Sequence, residues 1–166
     1  IELSEMGSAI LVDPAMKKMQ RSLTGSELFF VIFKRNKPSL NLLNTIKEEN
    51  IFTIREDSFL SLTLDTLRFL MWTRVRNIDT VIDLELFSRF TALLTILSNA
   101  GNRVGFYGYH NEGLYRGDFL THRVSYNPHI HIAKNFISLI NALLSNNREV
   151  PILRPSLLMK KFGWIK

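Results

Sequence analysis

Cysteine is absent from the 166 residues of this chain, and so are long apolar runs. Without cysteine the protein can form no disulfide bond and no thiolate-ligated metal site, which suits a reducing cytoplasm. No apolar run approaches the roughly 18 residues that a membrane-spanning helix requires. The opening residues lack the pattern of a secretory signal. We therefore expect a cytoplasmic protein.

Acidic residues are scarcer than basic ones, 15 against 21, which gives a net charge of +6 and a pI of about 9.8. A positive surface attracts phosphate-bearing partners, including nucleotides, anionic lipid and nucleic acid. A basic surface without such a partner explains the charge equally well. The charge alone therefore selects no function, although length and composition are typical of one folded domain.

Strand-like and helical patterns alternate along the chain. Residues 1–3 read as the end of a strand whose beginning is clipped, and further strands are predicted at 27–33, 51–54, 80–84, 103–106 and 122–124. Helical spacing predicts helices between them, the longest at 59–75. This alternation predicts an α/β fold, a Rossmann-like, mostly parallel sheet with helices on both faces, over residues 1–146. Residues 147–166 break the pattern and are predicted to be a linker or docking tail.

The helices near the middle of the chain carry apolar stripes that we expect to face the core. The stripe of the first consists of Leu60, Leu64, Leu67 and Met71. The stripe of the second consists of Leu86, Phe90, Leu93 and Leu97. Because Leu62, Phe69 and Trp72 lie on other faces of the first helix, both of its sides are candidates for burial.

Two groups of polar residues follow predicted strands. Residues 4–8 (Ser-Glu-Met-Gly-Ser) join a strand to a helix, where backbone N–H groups and the helix dipole favour anions. An ordinary connecting turn is the alternative, since one glycine makes no nucleotide-binding fingerprint. Asp83, Glu85 and Arg89 follow a later strand, and residues 83 and 85 share one face if the strand runs that far. These carboxylates could bind sugar hydroxyls, act as a base, or form a structural pair with Arg89.

Three other segments carry candidate functional residues. The loop at 107–123 contains aromatic and basic groups suited to carbohydrate or phosphate, or it is simply a solvated loop. Its candidate residues are His110, Asn111, Tyr115 and Arg116. The basic turn at 34–37 suits phosphate or is merely exposed. His129 and His131 lack further nearby metal ligands, so that a capping or hydrogen-bonding role is favoured over a metal site.

Taken together and in order, these motifs resemble glycosyltransferase family 9, the heptosyltransferase group of lipopolysaccharide synthesis. LSEMGSAILVDPAMKKMQRSL is similar to the family's first turn and helix, where Leu-Ser-x-x-Gly-Asp precedes a proline and a basic helix. VIDLELFSR resembles its Val-Ile-Asp-Leu-Gln strand end with a following Arg, and NRVGF resembles its Arg-x-Gly-Phe strand. His131 followed by FISLINALL resembles its histidine before a leucine-rich helix.

The resemblance implies the N-terminal half of a GT-B enzyme, in which two Rossmann-like domains face a cleft. This half would receive a saccharide or lipid-linked saccharide acceptor, and a missing C-terminal domain would hold the nucleotide-sugar donor. Inverting transfer is implied, with no cofactor and no metal. The basic surface would suit an anionic membrane surface, with the protein cytoplasmic or peripheral at the inner membrane. No nucleic-acid partner is expected, since no recognition motif accompanies the charge.

The chain departs from the family at the residue expected to be the base. Ser8 stands where the family has Asp, and an unassisted serine does not replace a carboxylate at neutral pH. Glu5 or Glu85 could supply the carboxylate instead. The alternative is a non-catalytic, ligand-binding domain. We expect the chain alone to be inactive as a transferase. Glu5 and Ser8 are the catalytic candidates. The acceptor-binding candidates are Gly7, Glu85, Arg89, His110, Asn111, Tyr115 and Arg116.

Overall fold

Parallel strands form the centre of the molecule. The computed structural model describes residues 1–43, 45–86, 88–107 and 119–145. The strands are β1 (Phe30–Phe33), β2 (Ile51–Ile54), β3 (Thr80–Asp83), β4 (Asn102–Phe106) and β5 (His122–Val124). β1 pairs with β2, β3 with β4 and β4 with β5, each pair in parallel. The short strand predicted at 122–124 is confirmed, whereas the strand predicted from residue 27 begins only at Phe30.

Residues 1–3 join the two groups of strands. The N–H of Glu2 donates to the carbonyl of Val31 in β1 at 3.1 Å. On the other side, Ile1 donates to the carbonyl of Ile82 at 2.7 Å and accepts from the N–H of Leu84 at 3.0 Å, the pattern of a parallel pair. The order across the molecule is therefore β2, β1, residues 1–3, β3, β4, β5. This is the doubly wound Rossmann order, in which the strands run 3-2-1-4-5-6.

Helices cover both faces of the sheet. They are α1 (Met6–Leu11), α2 (Asp13–Ser22), α3 (Phe59–Val75), α4 (Arg89–Leu97) and α5 (Ile132–Leu144), with 3₁₀ helices at Lys34–Leu42 and Glu48–Asn50. Phe30 and Ile32 of β1 pack in a core with α1, α2 and α5, while Val31 packs in a second core with α3 and α4. This alternation is the period of two that a strand buried on both faces requires. The predicted fold class is confirmed.

The stripe predicted for α3 faces outward, whereas Leu86 and Phe90 of the stripe predicted for α4 do pack against the cores. The bounds of α3 agree with the prediction, but its buried side carries Asp65 and Phe69, and Leu64 lies on the exposed side. Phe69 and Trp72 pack against Phe52 of β2, with ring centroids 5.8 and 5.0 Å away. In α4, too, the buried side includes threonines, whereas Leu93 and Leu97 of the predicted stripe are exposed. These contacts are made across the fold, so helical periodicity alone does not reveal them.

The predicted division at residue 146 stays a prediction, because residues 146–166 lie outside the described part of the chain.

Candidate functional site

The candidate site lies where the strand order reverses, between residues 1–3 and β3. After residues 1–3 the chain passes to α1 on one face of the sheet, and after β3 it passes to α4 on the other face. In open α/β sheets the two departing connections leave a crevice outside the carboxyl ends of the strands, and ligands bind there. The turn at residues 4–8 and Glu85 both lie at this reversal.

Hydrogen bonds to Glu85 connect the turn at residues 4–8 to the end of β3. Oε1 of Glu85 accepts hydrogen bonds from the N–H of Leu3 at 3.0 Å, the N–H of Ser4 at 2.9 Å and the Ser4 hydroxyl at 2.6 Å. On the side of β1, the buried Asn36 donates from Nδ2 to the carbonyls of Leu3 at 2.8 Å and Ser4 at 3.0 Å. The start of the turn is thus held from both neighbouring strands. These bonds give Glu85 a structural role at the turn, and its role in acceptor binding stays a prediction.

Glu2 is a second carboxyl at the reversal, and sequence reasoning missed it. It is only 2% exposed, and its Oε1 accepts from the N–H of Glu5 at 3.3 Å. Burial, and then the negative charge of Glu85, raises the pKa of Glu2 to about 8. Glu2 is therefore mostly neutral at pH 7. The sequence does contain a signal for this carboxyl: a charged residue stands between Ile1 and Leu3, in a segment typical of a strand.

Carboxyl groups of the chain itself accept from three backbone N–H groups at and just before this turn. Glu85 accepts from the N–H groups of Leu3 and Ser4, and Glu2 accepts from that of Glu5. The turn is thus held by two carboxyl groups of its own chain, those of Glu85 and Glu2. α1 is also only six residues long, too short for a strong dipole. The N–H groups of Met6, Gly7 and Ser8, at the start of α1, are not among these donors.

Glu5 is the carboxylate at this turn that solvent reaches. Its Oε2 accepts from the Ser8 hydroxyl at 2.8 Å, and its side chain is exposed. Apart from the neighbouring backbone of α1, no atom of the described residues lies within 4 Å of the position that a Cβ would take at Gly7, so among those residues space is open beside this pair. The structure therefore brings together three predicted residues, Glu5, Gly7 and Ser8, in an arrangement that can accept a ligand hydroxyl and its proton.

Asp83 and Arg89 also lie at the carboxyl edge of the sheet, because Asp83 is the last residue of β3 and Arg89 is the first residue of α4. β3 ends at Asp83, so the condition under which residues 83 and 85 would share a strand face is not met. Instead, Oδ1 of the buried Asp83 accepts from the N–H of Glu85 at 3.1 Å and shapes the exit from the strand. Arg89 is the exposed first residue of α4, directly after the N-cap Ser88.

The other predicted acceptor-binding residues, His110, Asn111, Tyr115 and Arg116, lie outside the described residues and stay predictions. The segments that flank them are described. The N–H of Tyr107 donates to the carbonyl of Val124 at 2.9 Å, and the guanidinium of Arg123 lies 4.6 Å from the centre of the Tyr107 ring. The loop therefore starts next to the end of β5, at the carboxyl edge of the sheet.

The remaining candidates have structural partners. In the basic turn, Arg35 pairs with Glu56 and Lys37 with Glu48, each at 2.9 Å. His131 caps α5, its Nδ1 accepting from the N–H of Ala133 at 3.2 Å, which confirms the predicted capping role. Within the described ranges, no group of three or more His, Cys, Asp or Glu residues could hold a metal ion. No helix among those residues is long and apolar enough to cross a membrane.

A cavity of about 790 Å³ lies at the opposite, amino-terminal edge of the sheet. Ile1, Phe29 and Thr80 are among its lining residues, whereas neither the turn at 4–8 nor Glu85 lines it. This cavity is therefore separate from the candidate site.

Solved structures of glycosyltransferases share this fold. The chain matches the glycosyl transferase family 9 structure from Veillonella parvula DSM 2008 with a TM-score of 0.65 and 15% identity, over 98% of this chain and 49% of that one. It matches E. coli heptosyltransferase WaaC with ADP at 0.68 and WaaC with ADP-2-deoxy-2-fluoro heptose at 0.69, each at 15% identity and over 92% of this chain. About half of each WaaC chain is covered, 50% and 51%. No protein-family model and no curated protein matches the sequence. The resemblance to family 9 is confirmed at the level of the fold.

Proposed function

We propose that this chain is the acceptor-side domain of an inverting glycosyltransferase. The parent protein would transfer a heptose-like sugar from a nucleotide-sugar to a saccharide of lipopolysaccharide or another surface polysaccharide. One observation carries the proposal: an exposed carboxylate and hydroxyl pair, Glu5 with Ser8, stands at the strand-order reversal of a fold shared with heptosyltransferase structures. Because the chain spans about half of those structures, we assign donor binding to the part that it does not contain.

Glu5 is the base in this proposal. An acceptor hydroxyl would give its proton to the Glu5 carboxylate while its oxygen attacks the anomeric carbon, and the nucleoside diphosphate would leave with the electrons of the broken bond. Glu2 is unsuited because it is buried and mostly neutral, and Glu85 because one of its oxygens already accepts three hydrogen bonds. Ser8 would orient Glu5 through the hydrogen bond that its hydroxyl donates to Oε2.

The other residues have supporting roles. Glu85 would keep the turn in place. Gly7 would leave room for the acceptor ring, since no side chain in the described part of the chain fills the space where a Cβ would stand. Arg89 and the loop residues are proposed acceptor contacts. The loop residues are His110, Asn111, Tyr115 and Arg116. Binding to an anionic membrane surface also remains a proposal. This proposal predicts that the protein binds anionic vesicles and that the binding weakens as the salt concentration rises.

The test is a titration of the isotopically labelled chain with a lipopolysaccharide core oligosaccharide. Amide resonances of residues 4–8 should shift, and Glu5→Gln should weaken binding by about tenfold, because a charged hydrogen-bond acceptor is lost. Glu49→Gln is the matched control, since Glu49 is also exposed but lies just before β2, at the other edge of the sheet. Saccharide binding that leaves residues 4–8 unshifted, or an equal loss in both variants, contradicts the proposed site.

A non-catalytic binding domain is the second candidate, and Ser8 in the place of the family's Asp favours it. The variant Ser8→Asp in the full-length parent separates the two. Transfer that appears or increases only in the Ser8→Asp variant supports a lost base. Transfer by the unmodified parent that is abolished by Glu5→Gln supports catalysis by Glu5. In either case the chain alone is expected to transfer no sugar.

A further inference from the structure

One side of α3 carries an exposed apolar stripe along most of the helix. Leu60 is 75% exposed, Leu64 51%, Leu67 55% and Met71 63%. The buried side of the same helix carries the polar residues Ser61, Asp65 and Thr73 beside Phe69. A helix on the surface of a monomer has the reverse arrangement, with apolar residues inward and polar residues outward. The exposed leucines are therefore unexplained by the packing of one chain.

The neighbouring helix also exposes leucines and buries threonines, although Leu94 lies on its buried side. In α4 the threonines at 91 and 95 are fully buried, while Leu93 and Leu97 are about half exposed. α3 and α4 contact one another on the same side of the sheet. We call their joint outer surface the α3–α4 face. It consists of Leu60, Leu64, Leu67, Met71, Leu93 and Leu97.

We infer that the α3–α4 face is the interface of a two-fold symmetric dimer of this chain. With Phe59 and Val75 at the ends of α3, both largely exposed, eight large apolar side chains on these two helices are about half exposed or more. The largest apolar patch on a typical monomer is about 300–600 Å², whereas a stable interface buries about 800 Å² on each partner. A cluster of this size on two adjacent helices is more typical of an interface than of the surface of a monomer.

The spacing of the stripe fits a second copy in particular. The intervals 60, 64, 67, 71 are four, three and four residues, which read the same from either end. When two copies of α3 pack antiparallel about a two-fold axis near residues 65 and 66, Leu60 faces Met71 of the second copy and Leu64 faces Leu67. Such mutual contacts are what an isologous interface requires.

The charges at the two ends of α3 agree with the same register. Asp57 precedes the helix and Arg74 lies in its last turn, and both are exposed. Antiparallel packing about that axis places Asp57 of each copy beside Arg74 of the other, and it also opposes the two helix dipoles favourably. A parallel arrangement would instead place like charges together. The antiparallel dimer is therefore the arrangement that both the stripe and the charges favour.

Sedimentation equilibrium of the full chain tests the interface. The unmodified protein should approach twice the 19.2 kDa mass of one chain. Leu64→Arg brings two charges into each dimer next to the axis and should weaken association by at least about 100-fold. Leu42→Arg is the matched control, because Leu42 is at least as exposed but lies on the 3₁₀ helix Lys34–Leu42. Circular dichroism checks that each variant stays folded.

Charge exchange tests the register. Asp57→Lys and Arg74→Glu should each weaken the dimer, and the double variant should recover most of the loss. A chain that stays monomeric overturns the inference, whatever covers the α3–α4 face. So does a dimer that Leu64→Arg leaves unchanged. A dimer that Leu64→Arg breaks but that the double variant fails to recover overturns the antiparallel register.

Discussion

The buried Glu2 carboxyl makes the stability of this fold depend on pH in a direction opposite to that of most acidic residues. Its pKa rises from 4.5 to about 8 on folding, through burial and the charge of Glu85. Between these two values the folded state binds more protons at Glu2 than the unfolded state does. Stability must therefore fall as pH rises through this window.

The magnitude follows from the same two values. Each pH unit between 4.5 and about 8 corresponds to about 1.4 kcal/mol, so that the loss is at most about 5 kcal/mol. This is large against the roughly 5–15 kcal/mol by which a domain of this kind is stable. Glu2→Gln removes the carboxyl group that binds the proton. It keeps an amide oxygen that can accept from the N–H of Glu5. Its stability relative to the unmodified chain should therefore increase with pH, by several kcal/mol in total.

Urea denaturation from about pH 5 to about pH 9 measures this, with the free energy of unfolding taken by linear extrapolation at each pH. Glu49→Gln makes the same chemical change at an exposed glutamate and should leave the pH profile unchanged. Three charged groups contribute to the field at Glu2: Glu85, Glu5 and the amino group of Ile1. A constant difference between Glu2→Gln and the unmodified chain over the whole range would show that Glu2 is already ionised in the folded state, and would refute the reasoning.

Two further substitutions probe the contacts that hold the fold together. Asp65→Asn weakens the bonds that Asp65 accepts from Arg55 at 2.7 and 2.9 Å and from Arg68 at 2.9 Å, and should reduce the free energy of unfolding by about 2 kcal/mol in urea. Hydrogen bonds from Arg55 hold the pKa of Asp65 well below its usual range, so this difference should shrink steadily as the pH falls below about 4. Gly105→Ala places a Cβ 3.1 Å from Cδ2 of Leu120 and should cost about 1 kcal/mol. Leu120→Ala in the same chain should relieve that crowding; equal costs in both backgrounds would contradict it.

Local signals explain why much of the fold could be predicted. α3 begins after Ser58, whose hydroxyl accepts from the N–H of Ser61 in a capping box, and it is followed by Asn77 in the left-handed region at φ 51°. Both features lie within a few residues of the helix ends and are visible in the sequence. The same is true of the apolar run at 51–54. Element type and bounds follow from such neighbours, and so does the alternation that indicates a Rossmann-like sheet.

The inward side of α3 could not be predicted, because distant residues decide it. Asp65 turns inward to meet Arg55 at the end of β2, and Trp72 turns inward to meet Phe52. The burial of these residues forces the leucines on the opposite side of the helix to face outward. The candidate site shows the same limit. Glu85 meets Ser4 across 81 residues of sequence, and no local pattern distinguishes a carboxylate that fixes a turn from one that meets a ligand.

The proposed site and the proposed interface belong to different layers of the molecule. Glu5, Gly7 and Ser8 lie at and just before the start of α1, which packs on the face of the sheet opposite α3 and α4. A dimer joined through the α3–α4 face therefore leaves both turns open to solvent. Saccharide binding should be the same for Leu64→Arg and for the unmodified chain, even though their masses in solution differ. A loss of binding that accompanies the loss of the dimer would mean that the second copy contributes to the site, which this geometry does not allow.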